Sequence, residues 1–431
     1  MSDVSDRPAR PHRRDLLRST AAAAAVTMVH GAASAAEPRP LRLAVVGCGG
    51  RGSGAINDSL TINEGVTLVA LADLYEDRCA KLRKSLSEAH PGKVDVPDAA
   101  LFSGLDGYKR VLDSANVDVV LMTTSPGFRP RLVRAAVEAG KHVFAEKPAC
   151  VDAAGYRICL DAHDLAVQRG TAIVTGTQYR RQVNYIGAIE QIRAGAIGDV
   201  IGATARYCAG GIWYRPRQEG MSDAEYQLNN WMHFIWLSGD QIVEQAVHNI
   251  DAMNWVMGGP PVAAFGQGGR FTRPADSEMW DNVSVDYEYS DNRRVSFMCR
   301  QIPGAAADVS NIVFGTKGIC RIGASNAGSS IVDRSGKTVW EMAGSISDAY
   351  KQEHKALVDS IRAGKPIVEL RETADSSLTA VLGRVAAYTG QRVTWDFLAN
   401  KSELDLFPKE LSWGGSLPTP QAAIPGKTKL V

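Results

Sequence analysis

Six residues near the start of the chain limit its fold more than any others: Gly47-Cys48-Gly49-Gly50-Arg51-Gly52, in which Gly47, Gly49 and Gly52 satisfy the spacing GxGxxG. After a strand and before a helix, the first glycine makes a tight turn and the second lets backbone approach a pyrophosphate. The third packs the helix close, with its amino end facing the phosphates. The spacing alone is a weak signal, so its context decides. An apolar run at 41–46 precedes the loop, a helical pattern follows, and the next apolar run, 66–73, ends in Asp73. That carboxylate is placed to accept hydrogen bonds from an adenosine ribose and to repel a 2′-phosphate, which favours NAD; Arg51 and Arg78 keep NADP open. The bland alternative for Asp73 is a turn residue or helix N-cap.

From residue 41 short apolar runs alternate with longer amphipathic ones. Runs 41–47, 66–73, 117–124 and 142–145 read as buried parallel strands, and 53–60, 76–89, 108–114 and 128–139 as the helices between them. This alternation implies a doubly wound α/β sheet. A helix over 152–169 and a strand over 172–177 continue it. After about residue 195 the pattern turns to β-rich segments at 200–207, 262–271, 282–300 and 310–322, with helical stretches near 240–257, 349–363 and 372–388. That composition predicts an α+β domain with a mainly antiparallel sheet and helices on one face. The expected plan is a Rossmann domain over 37–150, an α+β substrate domain over 151–400 whose sheet forms a homo-oligomer, and an extended tail over 401–431.

Charge excludes several partners. The 48 Lys plus Arg balance 47 Asp plus Glu, so no electrostatic excess exists to hold nucleic acid or an anionic membrane, and a small molecule is the expected partner. Seven cysteines are scattered without a CxxC pair, which predicts neither a metal site nor a disulfide framework. Cys48 reads as a small apolar filler of the glycine loop.

Residues 1–36 read as an address. Arg13-Arg14 precede an Ala-rich, mildly apolar run at 21–29, and small residues at 33–36 offer a cleavage site. This resembles a twin-arginine export signal, although Leu16 stands where such signals usually carry Phe, and it predicts a periplasmic or otherwise extracytoplasmic protein. The competing reading is a disordered basic tail. The apolar run is too short to span a membrane.

Glu146-Lys147-Pro148 closes the predicted strand 142–145, where a parallel sheet opens onto its ligand crevice. Thr124-Ser125-Pro126 lies upstream. Glycine loop, acid, TSP turn and EKP in this order resemble the Gfo/Idh/MocA oxidoreductases, over about residues 41 to 400. The resemblance implies a nicotinamide dinucleotide held by Gly47, Gly49, Gly50, Arg51, Gly52, Asp73, Thr124, Pro126, Glu146 and Lys147. It further implies a catalytic lysine, matched by Lys147, and a histidine with an acid one turn before it, matched by His248 and Glu244. Those two are spaced to share one face of a helix that starts at a capping box, Ser238 to Gln241, and stops at Gly258-Gly259-Pro260. Most relatives carry Asp where Glu244 stands, which leaves two roles open: orienting His248 or binding a substrate hydroxyl.

The chemistry accounts for these residue types. As hydride leaves a secondary alcohol, its proton must leave too, and an imidazole titrating near neutrality takes it; a lysine ammonium stabilises charge on the same oxygen. The plain alternatives are a hydrogen-bonded core histidine for His248 and a local ion pair for Lys147. Tyr179, Arg180, Asn230, Trp231 and Asp251 are candidates for gripping a polyol by hydrogen bonds and stacking, with domain packing as the competing role. Three functions follow: a dehydrogenase of a sugar, glycoside or cyclitol; a redox-neutral glycosidase or lyase acting through transient sugar oxidation; and a non-catalytic sugar-binding protein. A tightly bound cofactor suits an exported chain, because free NAD is scarce outside the cytoplasm.

Overall fold

A computed structural model describes residues 40–431; the proposed export signal lies outside the described residues. Strands β1 (Leu41–Val46), β2 (Val66–Asp73), β3 (Leu101–Ser103), β4 (Val119–Met122), β5 (His142–Ala145) and β6 (Ile173–Thr175) form a six-stranded sheet in the order β3-β2-β1-β4-β5-β6. Every pair in it is parallel. Helices α1 (Gly50–Ile62), α2 (Glu76–Ala89), α3 (Gly107–Asp113), α4 (Arg129–Glu138) and α5 (Ala153–Arg169) alternate with the strands. Strand order reverses between β1 and β4, so a crevice opens at their carboxyl ends. Gly47 and Thr123, the residues just past those strands, stand at its base.

The second sheet has nine strands in the order β14-β13-β12-β11-β7-β10-β9-β8-β15. These are β7 (Val200–Ala209), β8 (Ala263–Gly269), β9 (Asn282–Glu288), β10 (Arg294–Gln301), β11 (Asp308–Gly315), β12 (Gly318–Gly323), β13 (Ser329–Asp333), β14 (Thr338–Met342) and β15 (Val393–Thr394). Only β7 and β10 pair in parallel; the other pairs are antiparallel, as expected from the sequence. Helices α6 (Val183–Arg193), α7 (Asp223–Asn229), α8 (Ile235–Ser238), α9 (Gln241–Glu244), α10 (Val247–Met257), α11 (Ile346–Arg362) and α12 (Leu370–Thr389) complete the chain.

Three differences from the expected plan have physical causes. The segments 282–300 and 310–322 each fold as a hairpin, because alternation runs unbroken through a tight turn; in the first, Asn292 takes the left-handed φ of 65° that reverses the chain. Strands β13 and β14 were not anticipated, since their flanks are rich in Gly and Ser and carry little apolar signal. The parallel sheet also runs past residue 150 to take in β6, and α11 buries Leu357 and Val358 in the same cluster as β1 and β2 residues. The substrate segment therefore supplies part of the Rossmann core.

Helix α11 brings an ionisable group into that core. Glu353 is fully buried with neither carboxylate oxygen partnered, and burial pushes its carboxyl well above the ordinary value, with Glu146 adding to the rise. A carboxyl raised on folding contributes stability below its unfolded value, and that contribution is lost as pH rises through the folded value. Glu353→Met removes the loss, so the variant should melt higher than the parent by about 2 °C or more at pH 8, with the gap closing near pH 4. Thermal melts across this range check it, and a variant less stable at pH 8 than at pH 4 relative to the parent contradicts it.

Candidate active site

The glycine loop is shaped by close contacts on one side and open space on the other. Gly47 has φ +104°, and a Cβ there would lie 2.8 Å from backbone atoms of Thr123 and Thr124. At Gly52 a Cβ would stand 1.9 Å from the Gly47 carbonyl oxygen, so only glycine lets α1 pack this close. Gly49 and Gly50 face nothing within 4 Å. Gly49 is the N-cap of α1, without a side-chain capping bond or an acidic residue in the first turn. Free amides and the positive helix end thus point where an anion is wanted. Asp73 lines the same cleft; its oxygens accept from the Cys48 amide at 2.7 Å and the Tyr75 amide at 3.1 Å, with Arg78 at 3.5 Å. Cys48 is buried 3.7 Å from Cys79, and all seven cysteines are free and buried.

This cleft, about 790 Å³, passes from Arg78 and Tyr108 to Thr124. A second, of about 940 Å³, continues from Gly49 to His248 and Tyr350, and the two share Gly49, Thr123, Thr124, Ser125 and Trp231. The second holds Gly50, Arg51, Pro126, Glu146 and Lys147. A long two-part ligand with a phosphate bridge fits this pair of clefts, and the nicotinamide end of a dinucleotide would fall beside Lys147.

Lys147 joins the two domains. Its ammonium donates to the Glu244 carbonyl at 2.5 Å and to Glu244 Oε1 at 3.0 Å. In an unbroken helix that carbonyl would accept the amide of His248. Here the helix breaks at Gln245 and Ala246, and the expected single helix over 240–257 becomes α9 and α10. Its start also differs from the expected capping box: Asp240, held at φ 76°, caps α9 through its carboxylate, which accepts the Gln241 amide at 2.5 Å and the Trp280 amide at 3.0 Å, while Ser238 ends α8. Despite the break, Glu244 and His248 line one cleft with Lys147. Glu244 Oε2 is buried and unpartnered, and so is Thr124 Oγ1. Burial, then the charges of Lys147 and Arg51, hold the His248 imidazole well below its ordinary value, which keeps it neutral and able to accept a proton.

The remaining candidates divide. Arg51 donates to Glu146 Oε1 at 2.5 Å and lies 4.6 Å over the Tyr350 ring, so it bridges glycine loop, EKP and α11. Trp231 forms part of both cleft walls. Tyr179, expected at the substrate, instead is buried behind His248, stacked on Tyr185 at 4.3 Å and 5.4 Å from the imidazole. Arg180 and Asp251 neutralise each other at 2.8 Å rather than lining the cleft, because a buried carboxylate needs a partner. Asn230 is fully buried and clamps Arg215, accepting its amide at 2.9 Å and donating to its carbonyl at 2.8 Å. Sequence reasoning missed Arg129, Tyr207, Gln245 and Tyr350, which line the cleft. Tyr350 arrives from α11, a hundred residues past His248, and no local pattern marks it. Among the described residues no group of side chains could hold a metal ion.

Two family models match the chain. One, described as an oxidoreductase family with an NAD-binding Rossmann fold, covers residues 41–175, and the other, the GFO/IDH/MocA C-terminal domain, covers 185–321. The chain belongs to the Gfo/Idh/MocA oxidoreductase family. Within it, a myo-inositol 2-dehydrogenase of Thermotoga maritima is 24% identical over 80% of this chain and 95% of its own length. A glycosyl hydrolase family 109 protein of Solibacter usitatus is 34% identical, but over 25% of this chain, which spans only 24% of that relative. The crystal structure of scyllo-inositol dehydrogenase from Lactobacillus casei with NAD(H) and scyllo-inositol superposes with a TM-score of 0.63 at 17% identity, covering 83% of this chain and 99% of that one.

The family relation makes the state of His248 measurable. Because its folded value is lowered, the neutral base persists as pH falls past 6.5, and the acid limb of kcat/KM for alcohol oxidation should lie below pH 6.5. Lys147→Met removes one of the charges that lowers it, so the limb of the residual activity should move up toward 6.5. A parent limb at or above pH 7 would falsify the assignment of His248 as base.

Proposed function

We propose that the chain oxidises a secondary alcohol of a neutral cyclic polyol or sugar, with NAD as hydride acceptor. The observation that carries this reading is the set of unfilled hydrogen-bonding groups on residues that line one cleft: the third ammonium N–H of Lys147, the unpartnered Glu244 Oε2 and Thr124 Oγ1, and the neutral His248. A polyhydroxylated ring satisfies several such groups at once. Charge in the cleft argues for a neutral ligand. Lys147 pairs with Glu244 and Arg51 with Glu146, while Arg129 is buried and donates to the carbonyls of Pro148 and Thr124. The charges of Lys147 and Arg51 are thereby matched by carboxylates of the protein itself, while Arg129 meets only carbonyl oxygens.

In this arrangement His248 accepts the hydroxyl proton, Lys147 hydrogen-bonds the same oxygen, and Glu244 both positions Lys147 and accepts a neighbouring hydroxyl. Bound nicotinamide supplies the hydride acceptor. Asp73 at the far end of the cleft supports NAD over NADP, since its charge repels a 2′-phosphate. The inositol dehydrogenase likeness over most of the chain supports a cyclitol or sugar; the shorter likeness to family 109 glycosidases supports redox-neutral cleavage as a second reading.

We extend the proposal to place and assembly. The twin-arginine pattern supports export of the folded chain. Phe265, Met298 and Phe314 remain exposed on one face of the nine-stranded sheet and support self-association through it.

Three measurements check this reading. Purified protein offered a panel of inositols, sugars and glycosides should reduce NAD, whether bound or added, with a neutral polyol, whereas glycoside cleavage without net reduction selects the second reading. Lys147→Ala and His248→Ala should each lower turnover by about 10²-fold or more with nucleotide affinity nearly intact, and normal turnover in either removes that residue from the mechanism. Asp73→Ala should relax discrimination against NADP, read as the ratio of the two dissociation constants.

A further inference from the structure

The Asp73 end of the nucleotide cleft is covered from outside the Rossmann domain. Leu228 of α7 and Trp231 just beyond it line this cleft together with Asp73 and Arg78. Behind them sits a separate apolar cluster built from Tyr226, Phe234 and Trp236, into which Leu74 and Leu105 of the first domain also pack. The C-terminal tail closes the same cluster with Phe407 and Trp413. Trp413 meets Tyr75, two residues past Asp73, edge to face at 5.3 Å. Its carbonyl accepts from Ser222 Oγ at 2.5 Å, and the Leu417 amide donates to Asp223 at 3.2 Å. The tail thus ties the first turn of α7 to the loop that follows Asp73.

We infer that the segment 222–237 is a roof over the nucleotide and that the tail at 406–418 straps it shut, so that the dinucleotide is a resident group rather than a co-substrate that leaves each turnover. This rests on the nucleotide reading above. To release the ligand, Leu228 and Trp231 must lift away, and their lifting separates Trp413 from Tyr75 and exposes several aromatic faces together. Such coupled exposure makes release slow. A cofactor retained in this way must be restored in place, by a second substrate or by re-reduction of the first product.

The test follows release directly. Protein purified without added nucleotide is denatured, and the nicotinamide dinucleotide set free is quantified by chromatography. Native protein loaded with NADH is then diluted into excess NAD, and the loss of bound NADH fluorescence gives the release rate. About one nucleotide per chain and release over minutes or longer are expected for the parent. Trp413→Ala should release at least about tenfold faster. Asp223→Ala, which removes the tie to the Leu417 amide together with the ion pair to Arg217 and leaves the Ser222 bond to Trp413 in place, should move the rate in the same direction and keeps the test decisive where Trp413→Ala does not fold. Parent protein that binds added NADH but sheds it within seconds, or variants that both release at the parent rate, overturns the roof while leaving the cofactor assignment intact. Parent protein that neither carries nor binds a nicotinamide dinucleotide overturns the functional reading itself.

Discussion

The contact between the Lys147 ammonium and Glu244 organises the site. It is a charged hydrogen bond to a carboxylate combined with one to a backbone carbonyl, made across the junction of two domains and largely out of water. Lys147 stands at the carboxyl end of β5, and Glu244 ends α9. By taking the Glu244 carbonyl, the lysine occupies the acceptor that the His248 amide would use, at the point where α9 gives way to α10 and His248 joins the cleft wall. Removing either partner would leave a charge buried and unpaired, a costly state in a low-dielectric setting.

Around that bond, polar groups fall into two classes. Some are closed upon each other, such as Arg180 with Asp251, Asn230 with the Arg215 backbone, and Asp240 with the Gln241 and Trp280 amides. These hold loops and helix starts in place. Others, on residues that line the cleft, are left open, namely Glu244 Oε2, Thr124 Oγ1, Arg51 Nη2 and Arg129 Nε. Buried polar groups without partners are rare because each forgoes a hydrogen bond, so their clustering beside a neutral histidine marks where a ligand completes the structure. The same reasoning separates Tyr179 from the site: stacked on Tyr185, it supports the imidazole from behind.

The domains are less separate than the order of elements suggests. Helix α11 packs on the Rossmann sheet and brings Tyr350 over Arg51, while the tail returns from the end of the chain to pack on Tyr75 and on the cluster that holds Leu228. Two distant stretches of sequence thereby enclose a ligand site whose floor is complete by residue 147.

What the sequence determined by itself is the local part. Glycine spacing, the acid at the end of β2 and the EKP turn encode backbone geometry within a few residues, and periodicity encodes which faces are buried; hence the parallel sheet and the mainly antiparallel sheet were legible, while the roles expected of Lys147, His248 and Glu244 came from the family resemblance and the structure places the three along one cleft. The tertiary structure decided the rest, because hydrogen-bond partners are chosen among groups far apart in the chain. Nothing near Asp251 announces Arg180, nothing near Arg51 announces Tyr350, and nothing near Asp73 announces Trp413. The helix break was hidden for the same reason: residues 241–257 carry a helical pattern throughout, and at the interruption a lysine about a hundred positions earlier binds one carbonyl. A one-dimensional pattern records what each segment prefers, and only the folded chain settles which preference yields when two segments meet.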